Sequence, residues 1–386
     1  MNIRSLPAGG LDISRTSEVS AASALTGEAT LLSQDDLAVL SRLSGERWTS
    51  AEELGDEAEV AARLAERGLV VTEAENGRLS ELRRRDEELT AEQWDRYAAL
   101  FHFMARRRPE AVALKPADAE RFAPDAESAI ESFVAEHGAP PATFHRRRTE
   151  RSYALRGDDR PGALYTALRA RRTVRTFADS PLSFAELSTI LQYTFGCHGY
   201  WQNSENLVTL RKTAPSGGAM HPIEAYAIVL NADGVPPGAY HYNVERHTLD
   251  RLVEVDRGVA HERLVRAVCG QEFVATAGVV VMLSARFFRS FWKYRRDARA
   301  YAVLLMDAGH LAQTFQLVAT DLGLGSFVTA AIDGPSADAL IGLDGAEEGV
   351  IALCGCGHGG EVSVLDVDAV PYLPGTSDLG FSDFPS

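Results

Sequence analysis

Three short segments of the chain hold residue types at spacings that can do chemistry. The first is Arg171-Arg172-Thr173-Val174-Arg175, at the end of a predicted helix. Three guanidiniums beside a hydroxyl suit a phosphate, because an arginine fork pairs two oxygens and never loses its charge. A solvated charge run is the bland alternative. The second is Pro215-Ser216-Gly217-Gly218-Ala219-Met220-His221-Pro222. Its glycines let backbone amides approach a flat ligand, and Ser216 offers both a donor and an acceptor. The same loop would also serve as a plain turn between strands. The third is Lys293-Tyr294 within Phe291-Trp292-Lys293-Tyr294-Arg295-Arg296. An adjacent lysine and tyrosine can move a proton where burial brings either pKa toward neutrality. Neighbours on a regular helix diverge by ~100°, so both reach one site only where the segment is irregular. His310 reads as a satisfied core or interface histidine. Cys354-Gly355-Cys356, with His358 nearby, lacks a second ligand pair, so buried cysteines at a strand end are expected and no metal.

The elements that position these residues fall into several parts. A chain of 386 residues exceeds the ~250–300 at which one core stops growing, so two or three domains are expected. A 45% apolar and 24% charged composition is that of a globular protein. The net charge of −15 argues against non-specific nucleic-acid binding, which needs a basic face. No apolar signal core is visible at the start, and the run 278–285 is far short of the ~20 residues of a membrane helix. Four scattered cysteines make no disulfide framework. Cytoplasm is the expected compartment, with no membrane partner.

Residues 1–30 read as a flexible arm rich in small polar residues. Residues 31–80 read as a winged-helix-like module. Ser33 caps a first helix, Ser50-Ala51-Glu52-Glu53 starts a second, Glu57 to Arg67 forms a third, and Asn76-Gly77 turns a hairpin between Val70-Val71-Thr72 and Arg78-Leu79-Ser80. Acidic Glu52, Glu53, Asp56, Glu57 and Glu59 oppose a DNA-reading role, which leaves peptide binding or packing. Residues 81–160 read as a helical linker region, with Trp94, Tyr97, Leu100 and Phe101 as core contacts, a break at Gly138-Ala139-Pro140-Pro141 and a solvated run Arg146 to Arg148. From 161 to 386, helices at 162–171, 183–194 and 299–322 alternate with strands at 224–230, 278–284 and 350–354. That pattern gives an α+β sandwich.

In this order and spacing, the segments resemble the nitroreductase-like FMN superfamily, and more closely its SagB-type dehydrogenase branch. That branch contains the thiazoline and oxazoline dehydrogenases of ribosomal peptide natural-product (RiPP) maturation. The resemblance covers about Ala170 to Gly360 and includes Pro237-Gly238-Ala239-Tyr240-His241-Tyr242 and the helix end with glycine turn Ala319-Thr320-Asp321-Leu322-Gly323-Leu324-Gly325-Ser326. It implies a nitroreductase-like sheet-and-helix sandwich with FMN as cofactor. Arg171, Arg172 and Thr173 match phosphate and ribityl contacts, and Arg175 matches the basic residue at the pyrimidine edge. Pro215, Ser216 and Gly217 match the loop over the ring, usually from the partner subunit. Gly325 and Ser326 match backbone near flavin N5, and Lys293 and Tyr294 match the catalytic pair. The implied reaction oxidises peptide azolines to azoles. The implied partners are a modified precursor peptide, a cyclodehydratase complex and a second copy of the chain in a homodimer. Two departures bear on this. Thr173 replaces a commoner serine, and Ala302 stands where many relatives place an arginine. An NAD(P)H-dependent nitroreductase-like enzyme and a catalytically idle leader-peptide scaffold are the competing readings. No G-x-G-x-x-G follows a strand, which argues against a built-in dinucleotide domain.

Overall fold

The computed structural model describes residues 2–5, 11–12, 19–106 except 46 and 76, 131–132, 134–136, 138, 153, 155, and 160–359 except 206, 255 and 256. The N-terminal part comprises β1 (Asn2–Ser5), β2 (Leu11–Asp12), β3 (Val19–Ser23), β4 (Glu28–Leu32), α1 (Gln34–Arg42), β5 (Thr49–Ser50), α2 (Ala51–Leu54), α3 (Ala58–Glu66) and β6 (Val70–Thr72). Both expected caps form. Ser33 and Asp36 make a reciprocal capping box on α1, and Ser50 accepts from the Glu53 N–H on α2.

Two expectations fail here. Residues 1–30 contain strands: β3 and β4 pair as a hairpin flanked by β2, and β1 lies between β5 and β6 in the order β5-β1-β6. The wing hairpin across Asn76-Gly77 is not formed. The chain instead enters α4 (Gly77–Ala91) directly, and β6 takes β1 as its partner. The reason is local. The residues after Gly77 are mostly Leu, Glu and Arg, good helix formers, and Arg83–Glu87 and Arg84–Glu88 support the helix as i,i+4 ion pairs, which outweighs a turn dipeptide.

The helical linker splits in two. α4 ends before Gln93, which takes a left-handed φ of 59°, and α5 (Arg96–Arg106) follows. Among the expected core contacts Trp94 is buried, whereas Tyr97 and Phe101 are 58% and 57% exposed. The buried face of α5 is Ala98, Ala99, His102, Phe103 and Arg106. Apart from Gly138, the expected break at 138–141 and the Arg146 to Arg148 run lie outside the described residues.

The second half comprises α6 (Ala163–Ala170), α7 (Phe184–Phe195), β7 (Cys197–Ser204), β8 (Leu207–Lys212), β9 (Ile223–Val229), β10 (Gly238–Asn243), β11 (Thr248–Glu254), α8 (Arg257–Ala267), β12 (Val279–Arg286), α9 (Phe287–Tyr294), α10 (Arg299–Asp321), β13 (Gly325–Thr329), α11 (Gly334–Ile341) and β14 (Glu348–Gly357). Ser183 and Glu186 form the predicted capping box on α7. Six strands pair antiparallel in the order β11-β10-β9-β12-β14-β13. Successive side chains on a strand face opposite ways. Ala225, Ala227 and Val229 on β9, with Val279, Val281 and Leu283 on β12, pack with α7, α9, α10 and the N-terminal part. Tyr226, Ile228, Val280 and Met282 pack with α8 and α11 in a second cluster. Both faces are covered, giving the expected α+β nitroreductase-like sandwich. Among the described residues no helix is long and apolar enough to cross a membrane.

Candidate functional site

α9 follows β12 without a break and stops at Tyr294, because Arg295 and Arg296 both take left-handed φ values of 44° and 39°. Lys293 Nζ donates to the Gly218 carbonyl at 3.1 Å. A Cβ built on Gly217 would stand 3.4 Å from Tyr294 Oη and only 2.1 Å from Val303 Cγ1. Gly218 has φ 60°, and a Cβ there would fall 2.5 Å from Lys293 Nζ. Consecutive side chains therefore meet consecutive glycines, and both positions need a bare Cα.

The loop is fixed from α10. Ser216 Oγ donates to Asp307 Oδ2 at 2.5 Å, and the Gly217 N–H donates to Asp307 Oδ1 at 3.0 Å. The His221 N–H in turn donates to Ser216 Oγ at 2.9 Å. Asp307 is buried, so a charged group in that setting is satisfied only by such donors. It is the residue sequence reasoning passed over. Its signal was a carboxylate on the apolar face of a long helix. His310 also faces the loop, with Nδ1 3.3 Å from the Pro215 carbonyl, rather than serving as a core histidine. Below the loop, burial and then Lys212 hold His221 under the usual histidine range. Burial likewise lowers Lys212 itself.

The arginine segment lies elsewhere. After α6 the chain becomes extended, Thr173 bridges Ser326 in parallel, and the Val174 N–H donates to the Ser326 carbonyl at 2.8 Å. α10 closes with Gly323 at φ 73° and the Leu324 N–H donating to the Ala319 carbonyl at 2.8 Å, a Schellman-type end. A Cβ on Gly325 would lie 2.7 Å from Val174 Cγ1. Arg171–Arg175 is thus laid directly on the glycine turn. Two segments about 150 residues apart in sequence are brought together, as non-local strand pairing does. Arg172 donates to the Arg169 and Arg171 carbonyls at 2.8 and 2.9 Å, and Arg175 stands 5.7 Å over the Phe273 ring.

This set fits a phosphate-bearing flat cofactor. Arg171, Arg172 and Arg175 supply the cations, and Thr173 a hydroxyl. Ser326 Oγ is buried with no hydrogen-bond partner among the described residues. Gly218 in the loop is exposed, with Lys293 packed against its Cα. The two groupings stand apart, however. Asp307 to Asp321 spans about 21 Å of α10 at ~1.5 Å per residue. Lys293, Tyr294 and the loop sit at the Asp307 level, and the arginines sit past the helix end.

Cys354 and Cys356 are both buried in β14, and burial pushes both thiols up. Among the described residues no three His, Cys, Asp or Glu side chains gather as metal ligands.

A family model described as the nitroreductase family matches residues 168–358. A Methanocaldococcus jannaschii protein named as a nitroreductase is 38% identical over 159 residues, 40% of this chain and 72% of that protein. The trifolitoxin-processing protein TfxB of Rhizobium leguminosarum bv. trifolii is 32% identical over 161 residues. That match covers 42% of this chain and 40% of TfxB, so the chain spans well under half of that relative. A chain of the E. coli microcin synthetase McbBCD complex with truncated pro-MccB17 bound is 21% identical, with a TM-score of 0.43 over 64% of this chain and 98% of that one. With the antiparallel sheet and the arginine and glycine-loop segments inside the matched region, the chain belongs to the nitroreductase family.

Proposed function

We propose that this protein is an FMN-dependent dehydrogenase that oxidises azolines in a modified precursor peptide to azoles. The observation that carries the reading is the meeting of Lys293 and Tyr294 with Gly218 and Gly217 at one end of α9. A nitroreductase acting on small acceptors leaves this proton-handling pair without a task. The likeness to TfxB, a toxin-processing protein by name, supports a peptide substrate.

When bound, FMN accepts the hydride, and this chemistry belongs to the cofactor. The chain's residues do the rest. Arg171, Arg172, Thr173 and Arg175 would hold the cofactor through its phosphate and polar groups, and Gly325 and Ser326 would offer it backbone. Pro215, Ser216 and Gly217 would pack against it, with Asp307 keeping the loop in place. One of Lys293 and Tyr294 removes the acidic Cα proton of the azoline, and the other orients it or stabilises the developing negative charge. The ring thus loses one proton to the protein and one hydride to the cofactor, which leaves an aromatic azole. The ~21 Å of α10 between the two groupings supports a homodimer in which the arginines of one copy meet the loop of the other. We place the protein in the cytoplasm, working with a cyclodehydratase that makes the azoline.

The visible spectrum of the purified protein tests the reading. Flavin absorbance is expected, and a protein that stays colourless with added FMN sinks it. Lys293→Ala and Tyr294→Phe are expected to keep bound flavin and to lose about 10²-fold or more in turnover, the usual scale of positioned acid–base groups. Full activity in both removes the pair from the mechanism. Rapid reduction by NADPH, with no oxidation of an azoline peptide, favours the small-molecule nitroreductase reading instead, as the name of the M. jannaschii relative suggests.

A further inference from the structure

The helices that carry Lys293, Tyr294, Val303 and Asp307 are backed by a segment that precedes the matched family region. Trp94 sits between α4 and α5. Its ring centroid lies 4.6 Å from Phe287 and 4.9 Å from Phe291 on α9, and 6.0 Å from Tyr301 in the first turn of α10. Its indole N–H donates to the Ala346 carbonyl at 3.1 Å. His102 is wholly buried one turn into α5, 4.8 Å from the Phe287 ring. Its Nδ1 is 2.9 Å from Tyr301 Oη and its Nε2 is 3.0 Å from the Gly345 carbonyl.

The charge states of this group follow from burial. Burial, then the nearby Arg106, holds the His102 imidazole well below its usual range, so it is neutral. Burial pushes the Tyr301 phenol up to about 12, so it keeps its proton. The neutral ring carries one proton; Nδ1 pairs with the Tyr301 hydroxyl, which can donate or accept, and Nε2 meets both the Gly345 carbonyl and Arg106 Nη1 at 2.9 Å. Both ring nitrogens therefore have polar partners.

α9 is only eight residues long, and Phe287, Phe291 and Tyr294 recur on it at i, i+4 and i+7, along one stripe. Holding the two phenylalanines fixes the direction of the tyrosine. The link that follows is strained: left-handed non-glycine residues persist only where their surroundings over-determine them. Arg295 and Arg296 are two in a row. Trp94 and His102 touch both sides of that link, through Phe287 and Phe291 on α9 and Tyr301 on α10.

We propose that Trp94 and His102 are positioning residues of the active site. They hold α9 and the first turn of α10 at the angle that brings Tyr294 to Gly217 and Lys293 to Gly218. The N-terminal part is therefore a component of the catalytic apparatus and not a tethered appendage. The proposal rests on the reading of Lys293 and Tyr294 as the catalytic pair.

The test uses the full chain as wild type and as Trp94→Leu, Trp94→Phe, His102→Leu, His102→Gln and Tyr301→Phe. Bound FMN, kcat and KM on an azoline peptide are measured, with the ¹⁹F resonance of 3-fluorotyrosine at position 294, assigned by its loss in Tyr294→Phe. Because a misplacement of about 1 Å costs on the order of 10²-fold in rate, Trp94→Leu, His102→Leu and Tyr301→Phe are expected to lower kcat by about tenfold or more while KM and FMN affinity stay within about threefold. Trp94→Phe and His102→Gln, which keep an aromatic face and a polar side chain facing Gly345, are expected to restore most of kcat. The Tyr294 resonance should move in Trp94→Leu and return in Trp94→Phe. An unmoved resonance and wild-type kcat in Trp94→Leu, or in Tyr301→Phe should Trp94→Leu fail to fold, overturns the proposal. So does a fall in kcat that only tracks loss of flavin. If wild type does not oxidise azolines yet the resonance still moves, the catalytic reading falls and the positioning role stands.

Discussion

A histidine that folding strips of water is a built-in acid sensor of stability. His102 is wholly buried and held neutral, so below pH ~6.5 the unfolded chain binds a proton that the folded chain refuses. The sign follows: its contribution is full above pH ~6.5 and is lost as pH falls, by about 1 kcal/mol between pH 6.5 and 5.5. Asp338 works the other way in the same window. Burial pushes its carboxyl up to about 6 against the pull of Arg106, so it favours folding as pH falls. The clean measurement is the difference between wild type and His102→Gln in urea unfolding at pH 7 and at pH 5.5. The wild type is expected to lose about 1 kcal/mol more than the variant, and equal losses remove the buried-neutral assignment. At this scale the sequence was legible where residues sit in a local motif. Arg171–Arg175, Ser216–Gly217 and Lys293-Tyr294 could all be picked out by type and spacing. The partners of Asp307 and Trp94 could not, because Ser216 and Phe291 lie about 90 and 200 residues away and no local spacing announces such contacts.

Elements were legible where both their pattern and their ends are local. The Ser183–Glu186 box and α10 followed from capping and periodicity. The Asn76-Gly77 turn failed because a turn dipeptide is a weak signal beside a run of helix formers, and β1 was missed because its partners β5 and β6 lie 44 and more residues on. The element most exposed to a single change is the extended stretch on the Gly325 turn. A methyl at Gly325 would lie 2.7 Å from Val174 Cγ1, so Gly325→Ala must push Arg171–Arg175 off β13. Overpacking of this kind costs about 1–3 kcal/mol. The expected outcome is an FMN Kd weakened about tenfold, at ~1.4 kcal/mol per decade. Titration of the apoprotein by flavin fluorescence quenching reads this, and an unchanged Kd separates the arginine segment from cofactor binding.

At the scale of the whole molecule, the separation of the arginines from the Lys293-Tyr294 end along α10 leads to a subunit-mixing experiment. Arg171→Ala/Arg175→Ala chains and Lys293→Ala chains, each inactive alone, are expected to regain about a quarter of wild-type activity when refolded together, because half of random dimers are mixed and each has one intact site. No recovery means that each site is complete within one chain. The indole of Trp94 has a different consequence, one of timing. Its carbonyl acceptor on Ala346 lies 252 residues downstream, and the Tyr301 partner of His102 lies 199 residues downstream. At ribosomal rates of about 5–20 residues per second, Trp94 waits roughly 13–50 s for Ala346 to be made. For the first ~10–40 s of that interval, until Tyr294 is made, Trp94 and His102 have no α9 to cover them. The segment around Trp94 is thus made well before its cover, so newly made chains are most prone to stick to one another while the ribosome is still translating the nitroreductase-family half.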